Sequence, residues 1–474
     1  MLSLARRLVK KAALRSVHRR NEAWQVANNR GTHLPPALWG LTVNGAGHLC
    51  ADGCDFRELA RTYGTPLHVV NTDDLRANYD TFLGAFRREY PQVEIGYSYK
   101  TNPVPGVLQT LHGFGACAEV ISHYELWLAL QLGVAPEMVI FNGPAKTDAA
   151  VELAVSRGIR IINVDGLPEI DRIAAVAARY GRRQGVGVRV TTSVGWSSQF
   201  GVPISDGTAL AAFERLAQIE QLNPQGIHIH IGTGIRNVAV YEQAISEVLA
   251  FAETLRQRLN IDLRYLDFGG GFGVPTVQNY SEWDNRLKAN GYPARAIDTG
   301  ACPPIERYAA MLGQQMRGYI GRNPGTNPSV VLEPGRAITS RAQYLLLEVL
   351  NLKPGKQGMQ YAIMNGGKNL AMPLGYEQHE LFPADRMHDP LASGRYDIAG
   401  PLCYPEDILF KARKLPELRP GDLLAIMDAG AYFISNQQNF SNPRPAVVRI
   451  DGGTPRLIRE REQFEDMVRL DQPS

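Results

Sequence analysis

The sequence predicts an α/β protein: a parallel (β/α)8 barrel of the TIM type followed by an all-β domain. Three observations carry this reading. From Gly64 onward, short β-branched runs alternate with helical stretches over about 270 residues, the length of such a barrel. After Arg336 the alternation stops, and apolar runs follow one another between Gly/Pro turns. At 474 residues, 44% hydrophobic and 20% charged, the chain is long enough for a barrel plus an appended domain.

The elements follow in order. Residues 67–71 (LHVVN) are expected to open the barrel as a strand, and 72–90 to form a helix capped by Thr72. EIGYSYK (94–100), CAEVIS (117–122) and MVIFNG (138–143) read as the next strands, separated by the helical stretches 103–115 and 123–133. The helix 147–158 leads to RIINVD (160–165), GVGVRVT (185–191), GIHIHIG (226–232), RYLDFGGG (264–271) and SVVLEPGR (329–336). Beyond them AITSRAQYLLLEVLNLK, QYAIMNGG, RYDIAGPLC, DLLAIMDAGAY and PAVVRID read as strands. The expected division is a basic arm (1–34), strands joining the β domain (35–65), the barrel (66–336) and the β domain (337–474).

Fifty basic against 47 acidic side chains give a net charge of +3, too balanced to make nucleic acid the default partner. No stretch approaches the roughly 18 consecutive apolar residues of a spanning helix, so no membrane insertion is expected. Five cysteines (Cys50, Cys54, Cys117, Cys302, Cys403) contain no CxxC pair and leave an odd one over, which argues for a reducing compartment, the cytoplasm. The charge is uneven. Residues 1–34 hold eight Lys or Arg (Arg6, Arg7, Lys10, Lys11, Arg15, Arg19, Arg20, Arg30) against Glu22 alone. Leu4, Leu8 and Ala12 share one face, so the arm is expected to be a basic amphipathic helix. A secretory signal is excluded because no apolar core follows the charges. A transit peptide would be richer in serine than Ser3 and Ser16 make this arm, and an extra helix lying on the body or on a partner subunit is the favoured reading.

In a barrel of this type the chemistry lies where strands end, at the C-terminal rim. Lys100 closes one strand there, where a lysine is either a solvated charge or a Schiff-base former for pyridoxal phosphate (PLP). Gly269-Gly270-Gly271 ends another, and consecutive glycines let backbone N–H groups approach a phosphate. Glu333 and Arg336 end the last, offering a carboxylate and a planar fork of donors, or else a surface ion pair. His228 and His230 share a strand face, as two ligands of one ion would, but no Cys/His/Asp set completes a coordination sphere. A flat imidazole packed on an aromatic cofactor is the better reading, and no metal is expected.

The ordered motifs YSYKTN, HIHIGTG, LDFGGGFG, LEPGR, GPLCYPED and DAGAY resemble those of the fold-type III PLP decarboxylases, the family of diaminopimelate and ornithine decarboxylases. The resemblance spans roughly residues 45–470 and implies a PLP-binding barrel joined to a β domain, acting as a homodimer with shared active sites. It implies that Lys100 is the Schiff-base lysine, with Glu119 near it and Arg189 near the cofactor. His230 would stack on the ring, and Thr233 would stand where the family has a serine. Gly269, Gly270, Gly271, Arg336 and Tyr432 would hold the phosphate, and Glu333 the pyridine nitrogen. Cys403 and Asp407 would reach in from the other subunit, and Tyr404, Glu406 and Tyr376 would meet the substrate. Lys146 and Lys368 are expected to be exposed loop residues.

A carboxylate at the ring nitrogen keeps it protonated and makes the ring a strong electron sink. The family's alanine racemases place an arginine there, so Glu333 favours decarboxylation, with Cys403 returning a proton. The substrate is an amino acid or a derivative, free or tethered to a carrier. Diaminopimelate decarboxylases typically read Cys-Glu-Ser-x-Asp where this chain has Cys403-Tyr404-Pro405-Glu406-Asp407, and Arg-Pro where it has Met372-Pro373. Meso-diaminopimelate is therefore expected to be a poor substrate. Two alternatives stay open, a classical diaminopimelate decarboxylase of lysine biosynthesis and a non-catalytic PLP-fold regulatory protein. Retention of both Lys100 and Cys403 weighs against the latter.

Overall fold

The computed structural model describes residues 2–27, 33–196, 198–355 and 358–472. The chain divides into two compact bodies. The first comprises residues 76–273 and 301–338, the second residues 1–75, 274–300 and 339–474.

Eight parallel strands build the first body: β1 (Val93–Ser98), β2 (Cys117–Val120), β3 (Val139–Phe141), β4 (Ile161–Val164), β5 (Gln184–Thr191), β6 (Leu222–His228), β7 (Tyr265–Asp267) and β8 (Ser329–Leu332). Each pairs with the next and β8 pairs with β1, so the barrel is closed. Val331 of β8 stands opposite Glu94 of β1, and Asp267 of β7 opposite Val331. Strands such as β3 (VIF) and β4 (IINV) are apolar or nearly so at every position because both their faces are covered. Local chemistry sets the helices between them. Ser122 and Thr147 cap the helices that follow by accepting the N–H of Glu125 and Ala150, and Gly158 ends the second in a left-handed conformation.

The second body holds one large sheet, in the order 408–413, 395–399, 359–364, 343–354, 67–71, 446–451, 454–459, with strands 423–426 and 381–383 branching from it. Here the sequence reading needs two corrections. The strand Leu67–Asn71 is not the first barrel strand. It pairs antiparallel with Gln343–Pro354 and parallel with Ala446–Asp451. All five of its residues are buried, and a run covered on both faces carries no mark of which sheet will take it. Residues 274–300 also leave the barrel for this body, so the barrel does not run unbroken from 66 to 336. The helix Thr72–Glu89 begins where expected, but Asn71 Oδ1 accepts the Asp73 N–H (3.0 Å), while the Thr72 hydroxyl donates to Asp451 (2.5 Å).

The basic arm forms a helix, Leu2–Ala27, that packs within the second body. Leu14 is 1% exposed, the His18 ring lies 5.0 Å from that of Tyr292, and Asn21 Oδ1 accepts the Ala296 N–H (3.2 Å). Lys10, Lys11, Arg15, Arg19 and Arg20 all face solvent. The docked face is therefore that of Leu14, since Ala12 is exposed and the side chains of Leu4 and Leu8 lie outside the described residues. At the arm's end the Leu34 N–H donates to the buried Glu380 carboxylate (2.9 Å), beside His33 and Arg413. Burying a leucine is worth roughly 1.5–3 kcal/mol. Deleting residues 1–34 is thus expected to lower the thermal midpoint by a few degrees while leaving binding of the expected cofactor unchanged. An unchanged midpoint would show that the helix adds no packing.

Candidate active site

The strand ends of the barrel carry the site. Lys100 stands in a single 3-10 turn (Tyr99–Thr101) directly after β1. Its Nζ donates to Ser98 Oγ (2.6 Å) and to Glu119 Oε2 (3.0 Å), and the Ser98 hydroxyl donates to the same carboxylate oxygen (2.5 Å). The lysine side chain keeps 30% of its surface open, whereas Glu119, on β2, is buried. An amine at the mouth is thereby aimed by a carboxylate beneath it.

The segment after β7 packs too closely on neighbouring backbone to carry side chains. A Cβ on Gly269 would stand 2.3 Å from Ile229 O, one on Gly270 2.1 Å from Glu333 O, and one on Gly271 2.0 Å from Gly232 O. No side chain fits at any of the three, and Gly269 and Gly271 have φ of +64° and +88°. Phe272 anchors the loop, stacked on Tyr241 (5.0 Å between centroids) and edge-on to Phe82 and Tyr308. Two of the three amides are already engaged, Gly269 N–H with Asp267 Oδ1 (2.9 Å) and Gly270 N–H with His230 Nδ1 (3.3 Å). At these two positions the glycines supply close approach rather than spare donors.

β6 ends at His228, so His230 lies beyond the strand rather than on it. Its Nδ1 stands 3.8 Å from Glu333 Oε2, and His228 Nε2 stands 3.5 Å from Glu333 Oε1. Burial lowers the His230 pKa, which favours the neutral ring that accepts from Gly270. Burial alone would raise the Glu333 carboxyl. His228 and Lys100 hold it well below the usual carboxylate range. The neighbouring Asp267 is pushed well above that range by its burial and by the Glu333 charge. Of these two adjacent acids, the surroundings favour the charged form at Glu333 and the neutral form at Asp267.

Arg189, on β5, lies 3.5 Å from Asp165 and over the Phe200 ring. Arg336 is buried at the start of a short helix after β8, and Thr233 is exposed. Lys146 is not the exposed loop residue expected from its Gly/Pro surroundings. It is buried, donating to Gly143 O (2.6 Å) and Glu169 (3.2 Å).

The remaining expected residues belong to the second body. Cys403, Tyr404 and Glu406 are exposed in one loop, and Tyr376 is exposed in another. Asp407 differs from its neighbours. It is buried, and its two oxygens accept the Lys368 and Leu402 N–H groups (2.7 and 2.9 Å), so it shapes the loop. Tyr432 sits at φ +66°, in a loop tied down by Asp428, which accepts from Trp39, Thr276 and Ser340. Among the cysteines, burial pushes the Cys117 thiol up to about 12 and raises those of Cys50, Cys54 and Cys302. Cys403 is the exposed one.

Sequence reasoning missed Asn142, Asn163 and Tyr265. The Asn142 amide donates to Glu119 Oε1 (2.9 Å) and Glu333 Oε1 (2.6 Å). Asn163 donates to Asn142 Oδ1 (2.7 Å) and accepts from the Tyr265 hydroxyl (2.7 Å). The available signal was a polar residue closing the apolar run MVIF at a strand end, the same feature that singled out Lys100.

Comparison with known proteins agrees with this geometry. Residues 77–340 match the pyridoxal-binding domain of pyridoxal-dependent decarboxylases. The chain is 31% identical to the diaminopimelate decarboxylase of Methanothermobacter thermautotrophicus, over 90% of this chain and 96% of that one. It is 30% identical to that of Aquifex aeolicus, over 89% and 95%. Diaminopimelate decarboxylase from M. jannaschii, solved also with L-lysine, superposes with a TM-score of 0.81 at 27% identity, covering 92% of this chain and 98% of that one.

Proposed function

This chain belongs to the pyridoxal-dependent decarboxylases, amino-acid carboxy-lyases that use PLP, and from that premise we propose its substrate class, its residue roles and its assembly. The substrate is an amino acid or amino-acid derivative other than meso-diaminopimelate. One observation carries this: the loop 403–407 offers no carboxylate next to its cysteine. Tyr404 occupies that position, and Asp407 lies three residues further on, buried and bonded to two backbone N–H groups. Met372, in place of the family's distal-carboxylate arginine, adds to the mismatch. The names of the relatives favour the opposing reading, the lysine-pathway enzyme.

The barrel residues fit the cofactor. The three glycines let the turn after β7 pack against neighbouring backbone where any Cβ would clash, and Lys100, Glu333 and Arg336 supply an amine, a carboxylate and a guanidinium at the same strand ends. When bound, PLP supplies an electron sink for the pair released as the Cα–carboxylate bond breaks. Glu333, whose charged form its surroundings favour despite burial, would hold a proton at the ring nitrogen. His230, neutral, offers a flat face to the ring. Glu119 and Ser98 orient the Lys100 amine, and Gly271 with Arg336 and Thr233 receives the phosphate. Arg189 closes the site beside Asp165. In a homodimer Cys403 enters from the partner copy and delivers a proton to Cα, with Tyr404, Glu406 and Tyr376 lining the substrate's far end.

A panel of L- and D-amino acids, with diaminopimelate, ornithine, lysine and carrier-linked aminoacyl groups, tests the substrate by CO2 release. Losing the charged partner of a buried carboxylate costs several kcal/mol. Meso-diaminopimelate is therefore expected to turn over at least about 100-fold more slowly than the best substrate, since roughly 1.4 kcal/mol is tenfold. If it is the best substrate, the lysine-pathway reading stands instead.

A further inference from the structure

We propose that Asn142 is a positioning residue that yokes Glu119 to Glu333, and so fixes the lysine end and the ring-nitrogen end of the site relative to each other. This rests on the roles given above to Lys100 and Glu333. Both carboxylates lie within bonding distance of one amide nitrogen, and an amide nitrogen has two hydrogens to give. Its orientation is not free. Reversed, the Asn142 amide would turn its oxygen on two carboxylates and its NH2 on the Asn163 NH2. Asn163 is oriented in turn by the Tyr265 hydroxyl, so donation runs one way along the chain Tyr265, Asn163, Asn142, to both acids.

The barrel is cut to accommodate this chain. A Cβ on Gly187 would stand 2.0 Å from both Asn163 Oδ1 and Tyr265 Oη, and one on Gly226 would stand 2.3 Å from the Tyr265 ring. Two strand glycines clear the volume in which the tyrosine reaches the asparagine. All three side chains of the relay are buried, where an unmade hydrogen bond is costly and a completed one is strong.

Two neighbouring buried carboxylates resist ionising together. Asn142 offsets this by donating to each. Other charges face the pair as well. Lys100 and Glu125 face Glu119; His228, His230 and Asp267 face Glu333. Glu125 is pushed up to about 7 by burial, with the Glu119 charge adding to the effect. Its own titration must be removed before the yoke can be read.

The experiment is a pH titration of the visible absorbance of the bound cofactor, alongside kcat/KM, in a Glu125→Gln holoenzyme with and without Asn142→Ala. A carboxylate that loses a donor ionises only at higher pH. Both acid limbs are therefore expected to move up by about one pH unit, with a larger move for Asn142→Asp. Tyr265→Phe, which deletes only the far hydroxyl, should shift them the same way by less. Thermal unfolding identifies variants that fail to fold, and if Asn142→Ala is one, Tyr265→Phe decides. Superimposed titrations in a folded holoenzyme would overturn the yoke whatever the turnover. A parent protein with no cofactor absorbance would instead overturn the reading of the site itself.

Discussion

Replacing Lys100 with Ala is expected to lower CO2 release by about 10^4-fold, roughly 5 kcal/mol of transition-state stabilisation. Lys100 is the lysine whose amine is open at the barrel mouth and aimed by Ser98 and Glu119. The other rim lysine is no substitute. Lys146 is sealed in the protein with its amine bonded to Gly143 O and Glu169, and burial lowers its pKa. Steady-state CO2 release measures the effect. Activity within tenfold of the parent would remove Lys100 from the chemistry.

The second large effect is one of assembly. Cys403→Ala is expected to cost a comparable loss, because the other four cysteines are buried or half-buried and cannot replace an exposed thiol. If each site takes its lysine from one copy and its cysteine from the other, mixing inactive Lys100→Ala with inactive Cys403→Ala must restore activity. Random pairing of subunits leaves one intact site in each hybrid dimer, so recovery should approach roughly a quarter of the parent activity. No recovery after verified subunit exchange, or full activity in a dilute monomer, would contradict the shared site.

What the sequence disclosed and what it withheld divide along physical lines. Lys100, Glu333, Arg336 and the triple glycine were legible because a barrel concentrates chemistry at strand ends, and periodicity locates those ends. The strand 67–71 was found as a strand but assigned to the wrong sheet. Its burial on both faces erases the alternation that would have marked an antiparallel neighbour. Lys146 looked solvated because its local context, FNGPAKT, is that of a turn, and its acidic partner Glu169 lies 23 residues away. The Asn142 relay was invisible for the same reason at longer range. Asn163 is 21 residues from Asn142, and Tyr265 is 102 from Asn163. Hydrogen bonds across a barrel leave no local periodicity. Asp407 shows the opposite case, since the motif marked the residue while its bonds to the Lys368 and Leu402 N–H groups left no trace in the spacing.

The central claim is that the cofactor is carried by Lys100, between Glu119 and Glu333. Borohydride reduction of the holoenzyme, followed by peptide mapping, tests it most directly, because reduction fixes the cofactor on whichever lysine holds it. The account predicts a pyridoxyl adduct on the peptide containing Lys100, and its absence from the Lys100→Ala protein. An adduct on Lys146 or any other lysine, or none in a protein that releases CO2, would contradict it.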